Sequence, residues 1–291
     1  MAERDRTRLR VVGSRGDTSQ MKPPEASSHH WNDVADGWHE LKQRNPVLAR
    51  HKRRVYANLI QGWTGGAAPR RALKTDLFAE AFNDEQFLSL LPWRERCTGI
   101  DISSSVLQQA RRHPTIGTLY GYVTCDVTRL PFREGSFDLV VSDSTLDHLK
   151  TEGEIRQALG ELARVLTPGG RLILTIDNPA SLTYPPRWLV RLWMRLGLAP
   201  YYIGVTLPLA CLRADLEDLG LRVEHETAIL HYPHPDGLVR LCERCARWLS
   251  RGTLDRLVAR FFTAAEQLGG TRLRYLTGRY LAVDAIKRNA L

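Results

Sequence analysis

The sequence predicts an α/β fold: a doubly wound, mostly parallel sheet with helices on both faces and a helical cap ahead of it. Three observations carry that expectation. From Arg71 onward, short apolar runs alternate with segments of helical period, as successive β-α units do. The strand candidates are apolar at consecutive positions, as in Leu139-Val140-Val141, which suits strands covered on both faces. A hydrophobic content of 43% over 291 residues is enough for one large core with additions.

Residues 1–26 are polar, contain Gly, Ser and Pro-Pro, and hold no sustained period, so a flexible tail is expected. Residues 27–66 form the cap. Trp31, Val34, Ala35, Trp38 and Leu41 share one helical face, and a second helix from Val47 to Ile60 stops before Gly65-Gly66. The main domain spans 67–291, with an insertion at 181–215. Its first strand is ALKTDLF (72–78), followed by a helix ending near Leu91, and its second is CTGIDI (97–102). Ser103 to Ser105 offer N-cap oxygens to a helix over 103–113 that buries Val106, Leu107 and Ala110. YGYVTCDV (120–127) and SFDLVVSDS (136–144) are the third and fourth strands. A helix with Ile155, Leu159, Leu162 and Leu166 on one side closes at Pro168-Gly169-Gly170 and leads into RLILTID (171–177). LRVEHETAIL (221–230) and RYLAVDAI (279–286) supply two more strands, separated by an Arg-rich amphipathic helix over about 238–268.

Composition narrows the function. The five cysteines are odd in number and scattered, and the lone Cys242-x-x-Cys245 has no second pair at ligand spacing, so neither disulfides nor a metal site is expected. No stretch approaches the roughly 20 apolar residues that span a bilayer. The charged N-terminus lacks an apolar segment behind it, which predicts a soluble, cytoplasmic chain without a secretory signal. The net charge of +9 is uneven. Residues 1–75 hold 15 Lys/Arg against 7 Asp/Glu, and the remainder hold 26 against 25. A nearly neutral main domain argues against a nucleic-acid partner. The Arg50 to Arg54 cluster reads as a solvated helix face.

The chemistry is expected at strand ends, because open parallel sheets bind ligands beyond their carboxyl edge where strand order reverses. Acids recur there: Asp101 after the second strand, Asp126 after the third, and Ser142 with Asp143 after the fourth. A carboxylate at the second strand's end is placed to accept from ribose hydroxyls. Each acid alone has a plain reading as a cap or turn residue; their joint recurrence is the signal. No G-x-G-x-x-G follows any strand, which disfavours a dehydrogenase.

Over roughly Arg70 to Ile286 the chain resembles the class I S-adenosylmethionine-dependent methyltransferases. The resemblance rests on GIDISSSVLQQAR, YVTCDVTRLPFREGSFDLVVSDSTLDHL and ELARVLTPGGRLILTID, in the family's order and spacing. It implies a seven-stranded, Rossmann-like sheet whose last strand, RYLAVDAI, is antiparallel. It also implies S-adenosylmethionine as cofactor, with Asp101 and Ile102 at the ribose, Asp126 and Val127 at adenine, and Ser142 and Asp143 near the methionine. One departure stands out. ALKTDLFAEAFND has no glycine where the family has a Gly-rich turn; Lys74 falls at the usual acid, and Asp76 and Phe78 at glycines. Either Thr75 and Asp76 still meet the cofactor, Asp76 replacing the missing acid, or cofactor binding is lost and the fold serves as a scaffold. A turn without glycine is not expected to take positive φ easily.

For the acceptor, Asp147 and His148 are candidate bases just after the fourth strand, with His148 alternatively a structural residue at a helix start. His231 and His234 are more distant and read as loop residues beside Pro233 and Pro235. The insertion carries Trp188, Leu189, Leu192, Trp193, Met194 and Leu196 opposite an Arg187, Arg191 and Arg195 stripe. At the position where the family builds its acceptor lid, it must cover something: core near Trp31 and Trp38, an apolar acceptor pocket, or a membrane surface. The expected partner is a small, apolar acceptor such as a natural product or lipid, with a homodimer as a further possibility. An RNA or protein acceptor docked on the basic N-terminal quarter is the alternative.

Overall fold

A computed structural model of the protein describes residues 28–38, 46–82, 87–114, 118–183, 187–196, 202–232 and 250–289. At its centre is a seven-stranded sheet in the order β3-β2-β1-β4-β5-β7-β6. The strands are β1 (Ala72–Thr75), β2 (Cys97–Asp101), β3 (Gly121–Thr124), β4 (Phe137–Asp143), β5 (Leu166–Asp177), β6 (Leu221–Ile229) and β7 (Tyr280–Lys287). Strands β1 to β5 pair in parallel, and β7 runs antiparallel between β5 and β6. The chain leaves β1 toward β2 and β3, then returns to the other side of β1 with β4. Strand order therefore reverses between β1 and β4, which opens a crevice above their carboxyl ends.

Among the described residues the helices are α1 (Ser28–Trp38), α2 (Pro46–Thr64), α3 (Phe78–Phe82), α4 (Ser104–Arg112), α5 (Glu152–Val165), α6 (Arg187–Arg195), α7 (Leu209–Asp218), α8 (Arg251–Ala265) and the short α9 (Arg274–Thr277). Two apolar layers sandwich the sheet. One contains Tyr56 and Ile60 of α2, Val106 and Ala110 of α4, Phe262 of α8, and Val141 and Ile173 of the sheet. The other joins Ile155, Leu159 and Leu162 of α5 and Leu212 and Leu216 of α7 to Val140, Leu172 and Leu174. Local signals set the helix starts. Ser103 Oγ accepts from Val106 N, and Thr151 with Glu154 forms a capping box at the head of α5.

The cap closes one end of the crevice. Ser103 Oγ donates to Asn32 Oδ1 at 2.6 Å, tying α1 to the head of α4. His51 of α2 stacks on Phe262 of α8 and lies 3.0 Å from Glu266 Oε1. Several boundaries differ from expectation: α2 runs on to Thr64 and β3 ends at Thr124, short of 127. β1 stops at Thr75, three residues early, because Asp76 turns into the left-handed region at φ 61°. The predicted helix to Leu91 is α3 plus a 3-10 turn at Phe87–Leu90. β5 begins at Leu166, so Pro168-Gly169-Gly170 lies within the strand, where a register shift against Phe137 absorbs it. Among the described residues, no helix is long and apolar enough to cross a membrane. The 1–26 tail, Leu41, Cys242, Cys245 and His234 lie outside the described residues.

Candidate functional site

A cleft of about 630 Å3 opens over the carboxyl ends of β1 to β5, within the range of about 300–1,000 Å3 usual for small-molecule sites. Thr75 and Asp76 enter it after β1, Asp101 and Ile102 after β2, Asp126 and Val127 after β3, and Asp143 after β4. Asp147 and His148 line it from the 3-10 turn Leu146–His148. Sequence reasoning thus assembled one contiguous site, with one correction. Ser142 does not line the cleft; it is buried behind Thr75, whose Oγ1 donates to Ser142 Oγ at 3.0 Å. Alternation along β4 sends Ser142 into the sheet's neighbour contacts and leaves the rim to Asp143 and Ser144.

The turn after β1 is built by charge in place of glycine. Lys74 is fully buried, 3.2 Å from Glu80 Oε2, and its Nζ donates to the carbonyls of Thr75 (3.3 Å) and Asp76 (2.5 Å). Burial pushes Glu80 up to about 7, against the pull of Lys74. Burial alone would lower Lys74, but Glu80, Asp143 and Asp76 outweigh it and raise it. The expectation that this turn would avoid positive φ is overturned: Asp76 adopts φ 61° and its Oδ1 accepts from Phe78 N at 2.7 Å. Aspartate is among the few non-glycine residues that tolerate this region, because its short side chain bonds locally. Leu77 then tucks over Gly99, where an added Cβ would lie 2.5 Å from Leu77 Cδ1.

Asp101 is 8% exposed, and its two oxygens accept from Leu77 N (2.9 Å) and Ser103 N (2.8 Å). Burial, and then the neighbouring Asp76, push its pKa upward. A carboxylate has about four acceptor positions, so each oxygen can accept a further hydroxyl from the cleft. Asp126 sits exposed at the rim, where its Oδ1 accepts from Thr128 N and Oγ1, each at 2.8 Å. Acceptor groups at adjacent strand ends, with Ile102 and Val127 beside them, suit a nucleoside: hydroxyl donors against carboxylates and a base against aliphatic carbon. The donor set fits the cofactor that the resemblance implies.

The other half of the cleft is aromatic and charged. Asp147 is 4% exposed; Ser144 Oγ donates to its Oδ2 at 2.9 Å, and its Oδ1 has no hydrogen-bond partner among the described residues. Burial first, then Asp177, push Asp147 upward. His148 Nδ1 lies 3.1 Å from the Tyr202 carbonyl, and its ring meets Trp31 edge-on at 4.8 Å. The 202–206 segment docks here through Gly204 N to Asp147 O (2.8 Å) and Val205 N to Leu149 O (2.9 Å). Val190 and Trp193 of α6 and Ile203 complete an apolar wall. Trp188, by contrast, is 67% exposed and, with Leu192 and Leu196, faces away from the cleft. The insertion is therefore wall on one side and bare on the other. The side chain of Trp38 lies outside the described set.

Several lining residues escaped sequence reasoning: Lys52, Tyr56, Asp177, Arg279 and Tyr280. Tyr56 OH lies 3.3 Å from Thr175 Oγ1, which in turn donates to Asp143 Oδ1 at 3.2 Å. Lys52 and Tyr56 are one helical turn apart on α2, and that spacing could have marked them. Asp177 ends β5 as Asp101 ends β2, and Tyr280 is its register partner on β7. The solvated-face reading of the basic cluster fails for His51 and Lys52, which turn inward, while Arg50 and Arg54 are exposed. His231 lies apart from the cleft and is structural. Its Nδ1 is 2.8 Å from Thr277 Oγ1 and its Nε2 3.1 Å from the Ala228 carbonyl.

Comparisons with known proteins agree with this geometry. Residues 82–174 match the family described as a methyltransferase domain. The demethylmenaquinone methyltransferase of Chlamydia trachomatis is 34% identical over 147 residues, covering 48% of this chain and 61% of the relative. The malonyl-[acyl-carrier protein] O-methyltransferase of Legionella pneumophila is 31% identical over 112 residues, 38% of each chain. This chain thus spans less than two thirds of the length of the curated relatives it matches. In fold it is similar to an N-methyltransferase of Bradyrhizobium japonicum WM9 solved with S-adenosyl-L-homocysteine. That pair has a TM-score of 0.54 and 16% identity, with 91% and 99% of the two chains covered.

Proposed function

We propose that this chain, whose residues 82–174 match a methyltransferase domain on a Rossmann-like fold, moves a methyl group from S-adenosylmethionine to a small, apolar metabolite. The observation that carries this reading is a single cleft with two unlike halves. One is a row of carboxylates at successive strand ends, Asp76, Asp101 and Asp126; the other is a wall of Val190, Trp193, Ile203 and Tyr280. The first would hold the donor, with Asp101 at the ribose, Asp126 and Val127 at adenine, and Thr75, Asp76 and Asp143 toward the methionine end. The second suits an acceptor with an apolar body. The relatives' names, a demethylmenaquinone and a malonyl-acyl-carrier-protein enzyme, support acceptors of metabolite kind.

A sulfonium donor brings its own activation, so the protein has to align the acceptor and, where needed, take up a proton. Asp147 is placed for that proton. Its Oδ1 is buried and unpaired among the described residues, and its raised pKa matches a base working near neutrality. His148, held by the Tyr202 carbonyl and the face of Trp31, orients the wall beside it.

Calorimetric titration with S-adenosylhomocysteine tests the reading. Binding by the parent protein, weakened about tenfold or more in Asp101→Asn through loss of a charged acceptor, is expected. No detectable heat at millimolar ligand would leave the scaffold alternative, to which the ion-paired, glycine-free turn would then belong.

A further inference from the structure

We propose that Lys52 is the carboxylate-binding residue of the cleft and takes the carboxylate of the methyl donor's amino-acid end. The proposal rests on the donor reading above. Lys52 comes from the second cap helix, outside the sheet, and no part of the family resemblance covers it.

Lys52 lines the cleft with its Nζ 5.7 Å from the centre of the Tyr280 ring. Among the described residues it makes no hydrogen bond and no ion pair within 4 Å. Asp143, Asp147 and Asp177 face it from the ends of β4, the 3-10 turn and β5 and favour its charge; Arg279 opposes it, and burial pulls its pKa down more than any of these. These carboxylates favour the charge without reaching hydrogen-bond distance, so the ammonium keeps its N–H donors for a ligand in the cleft.

A carboxylate arriving beside β1 would ordinarily use backbone N–H groups of the turn there. In this chain the turn's Leu77 N is spent on Asp101 and its Phe78 N on Asp76, and around the same crevice Ser103 N is spent on Asp101 and Ser144 N on Thr175. The other cations of the cleft are engaged or remote. Lys74 holds Glu80 and two carbonyls, Arg279 reaches the Thr183 carbonyl, and Lys150 is exposed at the outer rim. Among the described residues Lys52 is a cleft-lining cation with its donors free for a carboxylate, and Asp143, close enough to sense its charge, marks the end of the crevice where the amino acid would lie. Asp76 in the rebuilt turn occupies the Phe78 N–H, and a side chain from the cap supplies a donor in its place.

The test compares two ligands against Lys52→Met, which keeps the stem and removes the charge. S-adenosylhomocysteine and its decarboxylated analogue are titrated calorimetrically into both proteins. The expected result is a loss of about 10- to 100-fold for S-adenosylhomocysteine, the range for one charge-assisted hydrogen bond. The decarboxylated analogue should bind parent and variant within about twofold, and Lys52→Arg should recover most of the affinity. Equal losses for both ligands, or no loss for either, overturn the assignment while leaving the methyltransferase reading intact. If the parent binds neither compound, the donor reading itself fails and this inference with it.

Discussion

Substituting Lys74 by methionine isolates the ion pair that stands where a glycine-rich turn was expected. Lys74 and Glu80 are 2% and 0% exposed at the side chain and 3.2 Å apart. Removing one partner of such a pair strands the other charge in the core and costs about 3–5 kcal/mol. For a chain of this size that is a fall in Tm of about 6–20 °C. The Thr75 and Asp76 carbonyls would lose their donor as well, so the variant should lie toward the upper end. Glu80→Gln should behave differently. Glu80 loses its proton near 4.5 in the unfolded chain and near 7 when folded. Its raised folded pKa means that its contribution to stability is full below the unfolded value and is lost as pH rises through about 7, by at most about 3 kcal/mol. Glutamine mimics the protonated form. It should therefore cost little at pH 5 and flatten the decline in stability between pH 5 and 8. Urea unfolding of the parent and both variants across that range measures the effect. A Lys74→Met cost below about 1 kcal/mol, or a Glu80→Gln profile parallel to the parent's, would refute the view that the pair replaces the glycine turn.

Two further outcomes follow from the wall of the cleft. Gly204→Ala would place a Cβ 2.1 Å from the Leu149 carbonyl and 2.7 Å from that of Asp147, both backbone atoms that cannot give way. Thermal melting should show a loss of about 1–3 kcal/mol, and limited proteolysis should open near residues 200–206; an unchanged Tm would mean that the segment is not docked as described. Trp193→Ala should weaken binding of a hydrophobic fluorescent probe in the cleft while sparing S-adenosylhomocysteine, whereas Trp188→Ala, at an exposed site, should change neither. Equal effects of the two substitutions would contradict the two-sided reading of α6.

The sequence by itself determined the sheet, the alternation of strands and helices, and the acids that meet at its rim. Strand burial writes continuous apolar runs, helical burial writes a period near 3.6, and carboxylates at the carboxyl ends of parallel strands gather at the crevice. Asp101 and Asp143 end their strands and could be named for that reason, and Asp126 follows β3 by two residues. Only the tertiary structure decided which side chains arrive from elsewhere. That Lys52 turns inward while Arg54 stays outside depends on where α2 lies against β7. That Ser142 is masked by Thr75 depends on the pairing of β1 with β4. The glycine-free turn shows the division most clearly. Local preference argues against positive φ at position 76, yet Lys74, held by Glu80 six residues on, anchors the Asp76 carbonyl and fixes the conformation. Periodicity is a one-dimensional signal and survives in sequence; an ion pair closed through a buried turn is a distance in space, and only packing creates it.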